Sequence, residues 1–331
     1  MQIGGKMDKL MNFIEKFKDK NILVIGDVML DKYIWGDVER ISPEAPVQVV
    51  EVTEESYSPG GAANVANNIA ALGSKVIMAG IVGNDTTKEE LVEELKKRGI
   101  DTSGLIVDES KRTIRKVRVF GKSQQLLRFD YEKKGYVGKE TEDRILDFLK
   151  SKIKSVDAVI VSDYAKGVVT KTLMEKLKEL CKENNKSIVV DPKPRHKDFY
   201  RNVALITPNH AEARSMAGIG EEEDAKEDIE GLGNKLLKDL NSNILITRGE
   251  KGMSLFCKDG TIKHIPTFAK EVYDIIGAGD TSVAALTLAL ASGASFEESA
   301  IIANYAAGIV VGKIGTSTVS INELKKSIEN G

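Results

Sequence analysis

The chain has 331 residues, with 48 Lys plus Arg against 50 Asp plus Glu, so its formal net charge of −2 gives no broad attraction to nucleic acid or anionic membrane. Hydrophobic residues at 41% and charged residues at 30% are ordinary for a soluble chain long enough to bury a large core. Cys181 and Cys257 have no partner motif, which excludes a disulfide framework and fits a reducing cytoplasm, and no apolar run is long enough for a bilayer.

Residues 1–6 read as a leader or as an added segment, and no signal-peptide core is present. Leu10, Phe13, Ile14 and Phe17 recur at helical spacing, which predicts an amphipathic helix over residues 7–18. Residues 21–26 form a short, continuously apolar run, suited to a strand buried on both faces. It ends in Gly26-Asp27-Val28-Met29-Leu30-Asp31, with Asp27 and Asp31 just past the strand, where open parallel sheets bind ligands. Both carboxylates could accept hydrogen bonds from hydroxyls, or simply cap the turn.

From residue 32 the texture changes. Residues 33–36 and 47–52 look like strands with mixed faces, and the pattern returns at 113–120 and 124–131. These segments predict a small sheet, about residues 33–53 and 112–131, projecting from the main domain as a lid. Between them, Pro59-Gly60-Gly61-Ala62-Ala63-Asn64 opens a helix of small residues, followed by a strand at 76–82 and an amphipathic helix at 87–98. The chain then alternates. Helices at 140–152, 171–184 and 224–240 fall between strands at 158–162, 187–190, 205–207 and 243–247, a pattern that predicts a parallel sheet covered on both faces. A hairpin at 253–265 and helices at 281–292 and 296–311 complete the domain.

Several strands end in polar loops: Ser162-Asp163-Tyr164-Ala165-Lys166-Gly167, Asp191-Pro192-Lys193, Thr207-Pro208-Asn209-His210-Ala211-Glu212 and Thr247-Arg248-Gly249-Glu250-Lys251-Gly252. Singly each suits a plain loop; together they would line one edge of the sheet. The last such stretch is Gly277-Ala278-Gly279-Asp280, opening a small-residue helix. Glycines allow close approach and a helix start holds an anion, but a carboxylate there repels one unless it has a proton to take. Asp280 is therefore either a base beside a phosphoryl site or an ordinary N-cap. Cations, carboxylates and a helix-start anion hole together suit phosphoryl transfer. The P-loop and protein-kinase motifs are missing from the sequence, and no Gly-x-Gly-x-x-Gly follows the first strand.

Pro59-Gly60-Gly61-Ala62-Ala63-Asn64 and the stretch from Asp274 to Asp280 resemble, in order and separation, the two signatures of the ribokinase-like (PfkB) carbohydrate kinases. Ile275 stands where that family usually has threonine. Within the family, the runs Arg40-Ile41-Ser42-Pro43-Glu44-Ala45-Pro46, Gln124-Gln125-Leu126-Leu127-Arg128-Phe129-Asp130, Ser162 through Gly167 and Gly308 through Lys313 are similar to D-glycero-β-D-manno-heptose-7-phosphate kinases, the kinase half of bifunctional ADP-heptose synthases. No His-x-x-His motif of a nucleotidyltransferase half follows, which sets the expectation of a stand-alone kinase.

The resemblance implies an α/β, ribokinase-like three-layer sandwich, one kinase domain over residues 1–331 with a β-sheet lid. It implies that Asp280 takes the proton from an anomeric hydroxyl while the N–H groups of Gly277, Ala278 and Gly279 hold the phosphoryl oxygens. Asn209 and Glu212 would organise Mg2+, largely through water. Lys193 and Arg248 would lie near the phosphates of ATP and Asn304 near the adenine, with Asn209, Thr247, Gly249 and Gly252 also on the nucleotide. Asp27, Asp31, Gly60, Gly61, Asn64, Gln125 and Asp163 would contact the sugar, with Arg128 and Lys166, backed by Lys116, on its 7-phosphate. The alternative for Arg128 is an ion pair with Asp130 or Glu132. A monovalent cation such as K+ near Asp274 and the loop after Lys313, a cytoplasmic location and a homodimer paired through the lid are further implications. Kinases of fructose, fructose 6-phosphate or ribose, and a non-catalytic sugar or nucleotide sensor, stay open as alternatives.

Overall fold

A computed structural model describes residues 2–122, 124–220, 228–269, 272–313 and 317–330. In chain order the elements begin with α1 (Gln2–Glu15), β1 (Asn21–Gly26), β2 (Val28–Ile41), β3 (Gln48–Gly61), α2 (Ala62–Ala71), β4 (Lys75–Val82) and α3 (Thr86–Lys97). There follow β5 (Asp101–Val107), β6 (Ile114–Gly121), β7 (Gln124–Tyr131), α4 (Lys139–Lys152), β8 (Ala158–Ser162), α5 (Lys171–Glu183) and β9 (Ser187–Asp191). Then come β10 (Leu205–Ile206), α6 (His210–Met216), α7 (Ile229–Leu240), β11 (Asn243–Thr247), β12 (Met253–Phe256), β13 (Ile262–Ile265), α8 (Ala278–Ala291), α9 (Phe296–Val310) and α10 (Ile321–Glu329).

Among the described residues, nine strands form one sheet in the order β13-β12-β11-β10-β9-β8-β1-β4-β5. It is parallel from β5 to β11, with β12 and β13 added antiparallel at the edge. The apolar runs explain the burial on both faces. Alternate residues of a strand point to opposite sides. Val24, Ile160, Val189 and Leu245 pack into a core with α1, α2, α8 and α9, and Leu23, Val159, Val190 and Ile244 into a second core with α4, α5, α6 and α7. The strand order reverses between β1 and β8, whose ends meet where the Asp27 N–H donates to the Ser162 carbonyl (3.3 Å). A crevice past the strand ends opens at such a reversal.

The second sheet has the order β3-β2-β6-β7 and stands off the same edge. Its β2 and β3 are longer than the sequence pattern suggests, reaching back to Val28 and on to Gly61. The lid therefore has no separate root: its strands run directly from β1 and into α2. The glycine pair that reads as a helix opening lies in β3, and α2 starts only at Ala62. Gly61 has φ of +56°, and a Cβ there would lie 2.5 Å from the Asp27 carbonyl oxygen, so a side chain would break the junction between lid and helix. Strand β5 and helix α10 carry no signal that the sequence reading used. Residues 224–227 of the expected helix lie outside the described residues, and α7 runs from Ile229. No helix among the described residues is long and apolar enough to cross a membrane.

Candidate active site

Helix α8 and the turn before it carry the candidate base. The N–H groups of Tyr273 and Asp274 donate to the Val311 carbonyl (2.7 and 3.2 Å), and Asp274 Oδ1 accepts from the Ile276 N–H (2.9 Å). Gly277 then takes φ of +81° and turns the chain into the helix. The first helical bond runs from Thr281 N–H to Gly277 C=O (3.0 Å), so the N–H groups of Gly279 and Asp280 stay outside the helical ladder. The Ala278 N–H is drawn to the Ile275 carbonyl (3.3 Å), which leaves Gly279 better placed than Ala278 to meet an anion.

Asp280 is buried in the first turn. Its Oδ2 accepts from Asn64 Nδ2 (2.7 Å) and its Oδ1 from the Tyr164 hydroxyl (2.9 Å). One turn beyond Asn64 on α2, Asn68 Oδ1 accepts from the Thr281 hydroxyl (2.7 Å), and Asn68 Nδ2 donates to the Asn64 carbonyl (2.9 Å). These bonds join α2 to α8, whose alanines let the two backbones approach. Burial pushes the Asp280 carboxyl up to about 6, against the downward pull of Asn64 and Tyr164 and with a further push from the Asp31 charge. Tyr164 is driven well above its ordinary range, first by burial and then by the Asp280 charge. A carboxylate that takes a proton this readily, beside helix-start N–H groups, can act as a general base next to an anion.

Asp280 opens onto a cleft of about 170 Å3 that is also lined by Tyr164, Asp191, Lys193, Thr207, Asn209, Glu212, Thr247, Gly277, Gly279 and Ser282. Lys193 pairs with Glu212 (2.5 Å) and lies over the Tyr164 ring (5.4 Å from its centroid). Asn209 and Glu212 form a reciprocal cap on α6: Asn209 Oδ1 accepts from the Glu212 N–H (2.9 Å) and Glu212 Oε2 from the Asn209 N–H (3.0 Å). Burial and the charges of Asp280 and Glu212 push Asp191 well above the usual carboxylate range. Among the described residues no group of three or more His, Cys, Asp or Glu could hold a metal directly. The hard oxygen donors and surplus negative charge nevertheless fit an ion that keeps its water, as Mg2+ does.

Of the remaining nucleotide candidates, Thr247 lines this cleft, whereas Arg248, Gly249, Gly252 and Asn304 are not among its lining residues. Thr247 ends β11 and donates its N–H to the Pro208 carbonyl (3.0 Å). Arg248 donates Nη1 to the Ser254 hydroxyl (3.1 Å) and its N–H to the Gly252 carbonyl (2.8 Å), closing the turn that contains Gly249. Asn304 is buried and donates its amide to the Pro266 carbonyl (2.6 Å), so it holds the segment after β13 instead of presenting that amide to a ligand. The loop after Lys313 begins with residues 314–316, which lie outside the described residues.

On the sugar side the structure separates residues that the sequence grouped. Asp31 stands on β2 at the root of the lid sheet, with Oδ1 accepting from Arg118 Nη1 (2.7 Å), and Gly60 lies against its carboxylate. Asp27 is turned elsewhere. Its oxygens accept the N–H groups of Tyr164 (2.9 Å), Lys166 (2.9 Å) and Val168 (3.1 Å), so it shapes the loop after β8 and does not face a sugar. Asp163 is likewise spent inside the fold, on His196 Nδ1 (2.6 Å), the Tyr200 hydroxyl (2.5 Å) and the Ala165 N–H (2.6 Å). Asn64 gives its amide to Asp280. Gln125 is exposed on the lid's edge strand, opposite Phe120. Arg128 pairs with Asp130 (3.1 Å), and Lys166 with Glu132 (2.5 Å).

Sequence reasoning did not single out Tyr164, Arg118 or Asp191 as site residues. Tyr164 stood inside a quoted loop, but a phenol gains meaning only when its partner, 116 positions away, is known. Arg118 had a usable signal, since it alternates with Lys116 along a strand.

The pfkB family carbohydrate kinase profile matches residues 19–323. The chain belongs to the pfkB family of carbohydrate kinases. It is therefore a phosphotransferase acting on sugars. Among curated relatives, a protein named Bifunctional protein HldE from Geobacter sulfurreducens is 46% identical over 310 residues, covering 93% of this chain and 63% of the relative. Its namesake from Geobacter metallireducens is 47% identical over 309 residues, covering 93% and 62%. The chain thus spans less than two thirds of these relatives' length. Among solved structures, Escherichia coli phosphofructokinase-2 in complex with potassium superposes with a TM-score of 0.77 at 19% identity, covering 94% of this pfkB chain and 99% of the other. Arabidopsis thaliana ribokinase complexed with ribose and ATP gives 0.70 at 18% identity, covering 94% and 98%. These establish the ribokinase-like fold, a large mostly parallel sheet with a smaller sheet beside it.

Proposed function

We propose that the chain phosphorylates the anomeric C1 hydroxyl of D-glycero-β-D-manno-heptose 7-phosphate with ATP, giving the 1,7-bisphosphate and ADP in ADP-heptose precursor synthesis. The observation that carries the reading is the placement of Asp280. It is a buried carboxylate with raised proton affinity, fixed on both oxygens by Asn64 and Tyr164, in the first turn of α8 beside an oxygen-rich cleft. The heptose choice rests on the runs from Arg40 to Pro46 and from Ser162 to Gly167, together with the relatives named HldE.

In this reading the C1 hydroxyl lies against Asp280, and Asp31 accepts from the sugar's hydroxyls. As the C1 oxygen bonds to the γ-phosphorus, its proton passes to Asp280, the bond from γ-phosphorus to the bridging oxygen breaks, and ADP leaves with that oxygen. The Gly279 N–H and the helix start meet the oxygens on which charge collects. Lys193, released from Glu212, would meet a phosphate. Mg2+ would supply charge neutralisation on the phosphates, held by Asn209 and Glu212 through water. A monovalent cation beside Asp274 is included in the proposal, since the phosphofructokinase-2 neighbour is a potassium complex. Reaction in the cytoplasm, where ATP is abundant, follows from the same chemistry.

The lid supports pairing with a second copy. On β7, Leu127, Phe129 and Tyr131 are exposed on one face, beside Val119 and Ile34. Such a patch on a projecting sheet is costly to leave in water, and a second lid would cover it.

The test is ADP release with Mg-ATP and a panel of heptose 7-phosphate, sedoheptulose 7-phosphate, fructose 6-phosphate, fructose and ribose. Selective turnover of the heptose phosphate is expected. Preference for another sugar would discard the heptose assignment, and no turnover of any would remove the catalytic reading.

A further inference from the structure

Next to the loop after β8 lies a buried cluster that the chemistry does not use. Asp163, His196 and Tyr200 are each exposed by 1% or less. Asp163 Oδ2 accepts from the Tyr200 hydroxyl at 2.5 Å and meets His196 Nδ1 at 2.6 Å. A carboxylate only accepts, so that ring nitrogen carries the proton. The other edge of the ring, Nε2, meets the Tyr136 hydroxyl at 2.8 Å. The ring is stacked on Phe199, with centroids 4.8 Å apart and planes 13° from parallel, which fixes the direction of both bonds. An imidazole with a partner on each nitrogen is a rigid bridge between a carboxylate and a phenol.

The two ends of the bridge belong to different parts of the molecule. On one side is the loop that carries Tyr164 to Asp280. Its Ala165 has φ of +55°, a left-handed conformation that a side chain disfavours. The Ala165 N–H is held there by Asp163 Oδ1 at 2.6 Å, from the same carboxylate that His196 grips. On the other side is the segment 132–138, which leads from the lid's edge strand β7 to α4. The Val137 N–H donates to the Gly167 carbonyl at 3.0 Å, and a Cβ on Gly167 would fall 2.1 Å from the Gly135 carbonyl oxygen. The two segments therefore run in backbone contact. The chain after β9 covers both tyrosines, with Lys193 5.4 Å from the Tyr164 ring centroid and Arg195 5.6 Å from that of Tyr136. The Lys193 N–H donates to the Tyr200 hydroxyl at 3.1 Å, so Lys193 is seated on the same cluster.

We propose that His196 is a positioning residue for phosphoryl transfer: through Asp163 it locks the loop that presents Tyr164 to the base, and through Tyr136 it ties that loop to the exit of the lid. Lid, loop and base are thereby set as one unit, and a sugar held under the lid meets Asp280 in a fixed orientation. His196 touches no reacting atom and works only through these neighbours. The inference rests on the reading of Asp280 as the base.

The test is steady-state kinetics across pH, with Mg-ATP and the sugar of the panel that the wild type uses best. The variants are His196→Ala, His196→Asn and Tyr136→Phe, each alone and combined with Tyr164→Phe. His196→Ala is expected to lower kcat by about 10- to 30-fold while KM for sugar and for ATP stays within about twofold. His196→Asn keeps an amide that can donate to Asp163 and should recover part of the loss. Tyr136 is 44% exposed, so its change tests the outer bond even if His196→Ala fails to fold. Tyr136→Phe should lower kcat by about 3- to 10-fold. In each variant the acidic limb of the profile should move upward, as in Tyr164→Phe, because a displaced phenol no longer favours the charged carboxylate. Asp280 also faces the charges of Asp31, Lys193 and Asp191, none of which is altered, and the combined variants separate the phenol from them. Combined with Tyr164→Phe, the His196 and Tyr136 changes should cost little beyond Tyr164→Phe alone, since all act on one contact.

Additive losses in the combined variants, or a lower melting temperature with kcat of the folded protein unchanged, would make the cluster merely structural and overturn the inference. A silent Tyr136→Phe would overturn the tie to the lid. Turnover that survives in Asp280→Asn, measured alongside, would remove the base reading, and the combinations with Tyr164→Phe would still decide the positioning role. An inactive Asp280→Asn together with additive losses would overturn the positioning role alone.

Discussion

Tyr164 donates its hydroxyl to one oxygen of Asp280 at 2.9 Å while Asn64 donates to the other at 2.7 Å, so the carboxylate is held on both sides, by the loop after β8 and by helix α2. Each bond favours the charged form and works against burial, which lifts the group to about 6. Removing the phenol oxygen leaves burial less opposed. Tyr164→Phe should therefore shift the acidic limb of the kcat/KM profile upward from about 6, by up to about one pH unit. The loss in rate should be larger below neutrality than above it. An unchanged limb would mean that Tyr164 does not bear on the base.

The same burial makes Asp280 a cost to the fold. Its proton affinity is higher folded, near 6, than at the ordinary value of 3.8. The folded state therefore binds more protons between those values, and stability falls as pH rises through that window. Above it the cost is complete. Asp280→Asn should abolish turnover and also raise the melting temperature at neutral pH, by a stabilisation on the order of 1–3 kcal/mol. The gain should shrink as pH falls below about 6 and be gone only below about 3.8, where both states are protonated. Melting curves of both proteins across that range provide the check.

Asp163 tests the separation of structural from reacting carboxylates. It is buried against His196, Tyr200 and the Ala165 N–H, away from the cleft. Asp163→Ala would strand those donors, a loss of about 2–4 kcal/mol in stability by analogy with broken buried polar networks. Protein that remains folded should keep its KM for sugar. A selective rise in that KM, without destabilisation, would place Asp163 on the substrate after all.

The lid patch gives a prediction about assembly. Leu127 and Phe129 are 57% and 37% exposed on β7. Light scattering behind size exclusion should report a dimer for the wild type and a monomer for Leu127→Glu combined with Phe129→Glu. A wild-type monomer at every concentration would reject pairing through the lid.

The sheet was legible because its strands are continuous apolar runs such as Ile22-Leu23-Val24-Ile25, which only a sheet buried on both faces uses fully. Asp280 was legible because a glycine-rich turn, a carboxylate and a small-residue helix fall in one contiguous stretch. Residues tied together only by folding were not. Asp27 and Asp31 lie four positions apart and look alike in the chain, yet one is consumed by loop N–H groups and the other stands on the lid sheet beside Arg118. Asp163 reads as a ligand-ready carboxylate until His196 and Tyr200 arrive from a later segment. The full length of β2 and β3 was hidden for a related reason. Both strands pass from exposure in the lid to full burial at its root, so neither keeps along its length the clean alternation that marks a half-buried strand.

The most direct test of the central claim is phosphorus NMR of the product formed from heptose 7-phosphate and Mg-ATP. The account predicts ADP together with a second sugar-phosphate resonance split by the anomeric proton, and no such product with Asp280→Asn. A new phosphate on any other carbon, or C1 phosphorylation that survives in Asp280→Asn, would contradict it.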